Sequence, residues 1–423
     1  KTQNNLETAW EMVKDYNDNM PQPLPERELK TTFKSIVKKE ERTKADLKNL
    51  NLDFNYDDIG WTRKFLEYLS QENRNRFCFD ADTWYYYDGD VWKIDYKESN
   101  VRRKWNTFVE KMRENAEKVT NDKTKNYYLK QIDKATAINK ENAVMRKITS
   151  LIAQKIEARD FDNDDLILNV WNGTIELGND IHREHKPEDL LTKTARTNFD
   201  QEARAPNWLK FIDDITGGNG ELSEYLQTAI GYSATGDRTY HSCFFLYGTG
   251  ANGKSTFLEV IHEILGDYVR TTDVNCLLSS NSESNNIQYA LHNLKGVRMA
   301  IAPETAETKK LSEDVIKKLS GGDTVMARAP YGRPIEFQPR FKLWIHGNYK
   351  PLIYGDDKGI WRRFKLIPFN QCFDNDSIVL DIKEKLLQER EGILNWILEG
   401  VKKWIQNGKK LIEPKCIKSE IEA

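Results

Sequence analysis

The stretch YGTGANGKST (residues 247–256) carries three glycines and a single lysine in ten positions. It fits G-x-x-x-x-G-K-[ST] through Gly248, Gly253, Lys254 and Ser255, a pattern in which glycines let successive backbone N–H groups turn inward around an anion. The flanks constrain the fold more than the match does. CFFLY (243–247) reads as a short buried strand, and the following STFLEVIHEIL repeats Phe257, Val260, Ile261, Ile264 and Leu265 at helical spacing. Strand, loop and helix in that order predict an α/β domain with a central parallel sheet. A helix opening where the loop closes adds free N–H groups and a partial positive charge, which suits phosphate. In this reading Gly248, Thr249, Gly250, Ala251, Asn252, Gly253, Lys254, Ser255 and Thr256 line a nucleotide site for ATP. Lys254 reaches the β- and γ-phosphates, and the Ser255 hydroxyl ligates Mg²⁺.

With 423 residues the chain has room for two or three domains. Charged residues are 31% and hydrophobic ones 39%, a balance expected of a water-soluble protein with a heavily charged surface. The formal net charge of −2 excludes a uniformly basic chain, so any attraction for nucleic acid must come from a local cluster of cations. Cys78, Cys243, Cys276, Cys372 and Cys416 are far apart, without C-x-x-C pairs or zinc spacing. That usage fits a reducing compartment, with the cytoplasm as the expected location. No apolar run approaches a membrane span and the N-terminus has no apolar signal core, so no membrane partner is expected.

Along the chain, NLETAWEMVKDYNDN and RELKTTFKSIVKKEE read as helices separated by MPQPLPE. WYYYDGDVWKID (84–95) reads as a hairpin turning at Asp88-Gly89-Asp90, and its aromatics as core. From Val101 to about Ala158 the pattern is long, charged and helical, and LILNVWNGTIEL (166–177) is a strand pair around Asn172-Gly173. DQEARAPNW (200–208) marks a boundary. The expected segments are a helical module at 1–46, an N-terminal α+β domain at 47–204, the loop-bearing domain at 205–410 and a tail at 411–423.

Beyond the loop, VRMAIAPE (297–304) and FKLWIHGN (341–348) are apolar runs ending in Glu304 and Asn348, and RRFKLIPF (362–369) is a third strand. Ligands in open α/β sheets sit at the carboxyl ends of the strands, so Glu304 and Asn348 gather at the phosphates. Glu304 is suited to Mg²⁺ and the attacking water, Asn348 to that water or the γ-phosphate. Between these strands, Ser312 caps a helix that stops at Gly321-Gly322, and TVMAR and PIEF form the arms of a hairpin with APYGR at its tip. Arg328, Tyr331 and Arg333 at that tip suit sequence-independent contact with a phosphodiester backbone; a solvated charged turn fits as well. Arg362 and Arg363 are the candidates for the cation that stabilises a transferring phosphoryl group.

The ordered motifs LYGTGANGKST, VRMAIAPET, KLSGGDTVMARAPYGRPIEF, FKLWIHGNYKP and GIWRRFKLIPF resemble the superfamily 3 helicases of the phage, plasmid and poxvirus primase-helicase type. The resemblance covers roughly 205–410, and within the family it points to replication initiator helicases of staphylococcal phage-related mobile elements. Residues 168–200 resemble the domain that precedes the helicase, and residues 3–40 the short helical module that follows a primase. The resemblance implies an AAA+ ATPase domain with lid helices around GILNWILEGVKKWI. It further implies a ring, usually a hexamer, that threads single-stranded DNA in the 3′ to 5′ direction, and an upstream primase as a partner. It puts the hairpin in the channel, makes Asn348 the sensor, and makes Arg362 or Arg363 an arginine acting on the neighbouring subunit's nucleotide. A single Glu304 after Pro303, where many relatives carry two adjacent acids, implies that it combines metal and water roles or that Glu307 assists. The chain is expected to be a fragment of a longer protein. An origin-melting initiator without processive unwinding and a duplex-translocating motor stay open at this point.

Overall fold

The computed structural model describes residues 2–78, 81–152, 155–179, 181–272, 285–303, 313–328, 334–350, 361–373 and 381–422. The chain divides into two compact units, residues 1–75 with 96–154 and residues 76–95 with 155–423.

The first unit is helical: α1 Thr2–Asp18, α2 Glu26–Asn49, α3 Asp58–Glu72, α4 Ser99–Glu117, α5 Asp122–Ala135 and α6 Ile138–Leu151. Side-chain caps set two of the starts, Asp57 accepting from the Gly60 N–H and Asn121 from the Thr124 N–H. Trp61, Phe65 and Leu69 recur every fourth residue on α3 and face Trp105 and Phe108 of α4; all five are buried. Trp105 meets Trp61 and Phe65 edge to face, at centroid distances of 5.7 and 5.2 Å.

The second unit is α/β. Its first strands, β1 Asn75–Cys78, β2 Thr83–Tyr87, β3 Trp92–Ile94 and β4 Lys155–Ile156, form a sheet in the order β3-β2-β1-β4. The turn is closed by Asp88, whose carboxylate accepts from the Asp90 and Val91 N–H groups, and Trp84 and Trp92 are buried. Strands β5 Ile167–Val170, β6 Gly173–Glu176 and β7 Ile181–Arg183 make an antiparallel sheet. Val170 pairs with Gly173, so the tight turn is Trp171-Asn172, one residue earlier than the sequence pattern suggests.

Next come α7 Pro206–Thr216, α8 Gly220–Ala234, β8 Cys243–Tyr247, α9 Lys254–Leu265, β9 Val269–Thr271, α10 Asn285–Asn293, β10 Met299–Pro303 and α11 Glu313–Ser320. A hairpin of β11 Val325–Arg328 and β12 Pro334–Phe337 follows, then β13 Lys342–Gly347, β14 Phe364–Pro368, α12 Ile382–Leu387, α13 Arg390–Gln406 and α14 Lys415–Glu422. Strands β14-β8-β13-β10-β9, in that order, build a five-stranded all-parallel sheet. Both faces are covered, which is why CFFLY is apolar throughout rather than alternating. On one face Phe244 stacks on Trp344 at 4.3 Å, and both join a core with Trp208, Phe257, Val260, Ile261 and Trp404. The other face packs Phe245, Ala300, Ile345 and Leu366 against Ile316 and Leu319 of α11.

Residues on either side of the 200–208 segment share the first of these cores, since Leu168, Val170, Ile175 and Ala195 lie in it with α7, α8 and α9. Proline at the start of α7 and the polar run before it mark a helix start inside a compact unit. The segment after 410 is also docked: Leu411 and Ile417 are buried in the same core.

Candidate functional site

The parallel register brings the carboxyl ends of β8, β13 and β14 level. Tyr247 pairs with Gly347 on one side and Pro368 on the other. The chain leaves β8 through Gly248 at φ +149°, where an added Cβ would lie 2.2 Å from the Phe369 carbonyl oxygen. Gly253 ends the loop at φ +82° and an added Cβ there would lie 2.6 Å from Ile215 Cγ2. Both positions therefore exclude a side chain by conformation and by space. Asn252 is buried, and its amide Nδ2 donates to the Thr249 carbonyl at 2.6 Å and the Phe369 carbonyl at 3.1 Å, binding the loop to the end of β14. The Ala251 carbonyl accepts from the Phe373 N–H at 2.8 Å.

Lys254 opens α9 and is 5% exposed. Its ammonium donates to the Gly248 carbonyl at 2.6 Å and to Asn252 Oδ1 at 2.9 Å, and burial lowers its pKa from the usual lysine value. Gly253 has no side chain to cap the helix, so the first N–H groups of α9, those of Lys254, Ser255 and Thr256, have no intrahelical acceptor. Ser255 is exposed and Thr256 half-buried beside them. A buried cation, free helix N–H groups and an exposed hydroxyl together offer an anion donors from three directions. Asn348 is exposed immediately after Gly347, at the mouth of this loop. His346 sits one residue before the end of β13, its pKa held low by burial and by Lys254.

Strand β10 ends level with β13, Pro303 pairing with His346. Glu304 and Glu307 lie outside the described residues. The predicted hairpin arms form, and Arg328 is exposed where β11 ends, opposite Pro334; Tyr331 and Arg333 lie outside the described residues.

The paired arginines are at the other end of the sheet. Phe364 pairs with Cys243, so the length of β14 separates Arg362 and Arg363 from the loop, roughly 16 Å at the rise of a strand. No guanidinium spans that distance, so the structure does not bring these arginines to their own chain's loop. The two also differ from each other. Arg363 is half-buried and its Nη1 donates to the Lys317 carbonyl at 2.8 Å and to Ser320 Oγ at 3.1 Å. The Arg362 side chain is exposed. Its carbonyl accepts from Lys365 Nζ at 2.8 Å, and Lys365, itself buried, pairs with Glu413 at 2.7 Å. The Tyr240 hydroxyl donates to the same carboxylate at 2.8 Å, and burial with the nearby Glu413 raises its pKa.

Lys365 and Glu413 carry no functional signal in the sequence. A lysine between Phe364 and Leu366 reads as a charge on an edge strand, and its partner is 48 residues away. A concavity of about 700 Å³ elsewhere in this unit, lined by Arg159, Asp162, Lys295, Glu336 and Arg340, contains none of the predicted site residues.

Sheet, loop and helix define the class as a parallel α/β protein with a glycine-rich loop at the carboxyl edge of an interior strand. Separate stretches of the chain are similar to D5-type and primase-associated families and to viral proteins named as helicases and primases. A family described as D5 N terminal like matches residues 63–217, Primase C terminal 1 (PriCT-1) matches residues 2–42, and a family of unknown function (DUF5906) matches residues 246–363. A protein of Acanthamoeba polyphaga mimivirus named as a helicase, L207/L206, is 27% identical over 298 residues, 66% of this chain and 31% of its own length. Primase D5 of Fowlpox virus is 29% identical over 222 residues, 49% of this chain and 28% of its own length. The chain thus spans about a third of these relatives. Among solved structures, the A-form apo structure of the NrS-1 C-terminal region superposes with a TM-score of 0.51 at 10% identity, covering 85% of this chain and 74% of that one; the likeness is one of fold. Among the described residues no helix is long and apolar enough to cross a membrane.

Proposed function

We propose that this chain is the motor portion of a replicative DNA helicase, an ATPase of the AAA+ type in superfamily 3. It works as a ring, expected to be a hexamer, that moves 3′ to 5′ on single-stranded DNA and separates the duplex ahead. The matched primase-associated segment and the relatives named as helicases and primases support a role beside a primase.

The observation that carries this reading is the register of the parallel sheet. It places the loop and Asn348 together at one end, and Arg362 at the other, beyond reach of its own loop. An active site that uses both needs two copies of the chain, which a head-to-tail ring supplies.

The residues present fit ATP with Mg²⁺. Gly248 and Gly253 hold the loop in a backbone conformation and in close contacts that only glycine allows, and the Lys254 ammonium rests on two oxygens that a phosphate would replace. Mg²⁺ held there would supply neutralisation of the phosphate charge. Ser255, exposed at the start of α9, would hold that metal, with Glu304 as its second ligand in the sequence reading. Asn348 orients the attacking water, and Arg362 of the adjacent subunit stabilises charge on the transferring group. Arg328, with Tyr331 and Arg333, contacts the DNA backbone.

ATP hydrolysis by the purified chain, with and without single-stranded DNA, and strand separation on a forked duplex test the proposal. DNA-stimulated hydrolysis with unwinding is expected. Vigorous hydrolysis that separates no forked substrate would contradict it.

A further inference from the structure

We propose that Arg363 is a positioning residue that ties the start of β14 to the helix leading into the hairpin, and so divides the adjacent arginines between two tasks. The inference rests on the proposed function, in which Arg362 faces a neighbouring nucleotide and the hairpin meets DNA.

Arg363 bonds the last turn of α11 through a main-chain carbonyl, that of Lys317, and through Ser320 Oγ. The Ser320 hydroxyl in turn donates to the Ile316 carbonyl at 2.6 Å. The end of a helix is where carbonyls lack intrahelical donors and where the dipole is negative, so a guanidinium is bound there by both hydrogen bonds and charge. Gly321 follows directly. A Cβ at that position would lie 2.5 Å from the Lys317 carbonyl oxygen and 3.1 Å from Arg363 Nη1, so the chain leaves α11 in close contact with the guanidinium. Four residues after Gly321, β11 begins the hairpin.

The other end of the link is equally fixed. The Arg363 carbonyl accepts from the Cys243 N–H at 2.8 Å, at the first residue of the strand that feeds the loop. The preceding carbonyl, of Arg362, is held by Lys365 and through it by Glu413. Arg362 thus projects from a backbone anchored on the sheet, and its neighbour carries any displacement of that backbone to α11. A change at the subunit interface and a change at the hairpin root are connected by one residue. Lysine at this position would keep a single donor to the Lys317 carbonyl, whereas alanine keeps none.

The test compares Arg363→Ala, Arg363→Lys and Arg362→Ala with the unaltered chain in four readouts: ATP turnover, base pairs separated per ATP, thermal unfolding, and hydrogen exchange of residues 317–328 and 334–337 with and without a non-hydrolysable ATP analogue. In Arg363→Ala, turnover falls less than about three-fold while base pairs separated per ATP fall about ten-fold, a coupling loss in the ordinary range. The exchange of the hairpin arms stops responding to the analogue, and Arg363→Lys restores part of both. In Arg362→Ala, turnover itself is lost. Unwinding efficiency and hairpin exchange that remain normal in Arg363→Ala overturn the inference. So does a loss of turnover equal to that of Arg362→Ala. If the unaltered chain separates no DNA, the helicase reading fails, and the response of the hairpin arms to the analogue still decides the role of Arg363.

Discussion

The two ends of the parallel sheet use buried cations in opposite ways. At the amino end, Arg298 donates to the carbonyls of Ala234, Asp164 and Ile167, Lys342 to that of Thr235, and Lys365 to that of Arg362. Arg298 and Lys342 are struts to main-chain oxygens of separate segments, and Lys365 ties the start of its own strand to the distant Glu413 carboxylate. At the carboxyl end Lys254 is also buried, yet its acceptors are an oxygen of its own loop and Asn252 Oδ1 beside it. A cation that bonds distant segments holds the fold together. One that bonds its own loop can exchange those oxygens for those of a ligand at little structural cost.

That contrast fails or sharpens under substitution. The largest effect is expected for Lys254→Ala, which lowers ATP turnover by about 10³-fold, roughly 4 kcal/mol of transition-state stabilisation. Its melting temperature should change little, because among the described residues this ammonium bonds only its own loop; a large drop would make Lys254 a strut too. Glu413→Ala should act the other way round. It leaves Lys365 buried and unpaired, so denaturant unfolding should show a loss of about 3 kcal/mol. Arg298→Ala strands three carbonyls and removes the guanidinium from above the Tyr268 ring, 4.5 Å away; a loss of about 2 kcal/mol is expected in the same measurement. The smallest effect belongs to a site at neither end. Asn219 caps α8 by accepting from the Leu222 N–H, and Asn219→Ala should cost about 1 kcal/mol.

Much of the carboxyl end was legible in the chain itself. The loop, the helix that follows it and the three strands leading into or out of polar residues are local patterns, and apolar periodicity reports local structure directly. Arg328 was correctly placed at the end of a hairpin arm for the same reason. The amino end was not legible. VRMAIAP and FKLWIHG each open close to a cation, and periodicity does not tell whether such a charge points to water or to a carbonyl over a hundred residues away. Arg362 and Arg363 are equivalent as a sequence pair; in the turn before β14 one bonds α11 and the other is exposed. The polar segment before Pro206 looked like a border because its residues are short and hydrophilic, whereas the strands on its two sides pack into one core.

The central claim is that the active site is completed by the next subunit, with the loop from one chain and Arg362 from another. Mixing Arg362→Ala and Lys254→Ala subunits, each inactive alone, tests it most directly. In a head-to-tail ring assembled at random from equal amounts, roughly a quarter of the interfaces pair an intact loop with an intact arginine. The account predicts that turnover reappears on mixing and rises toward that share of the unaltered activity. Turnover that stays at the sum of the two inactive proteins, in rings shown to contain both, would contradict it.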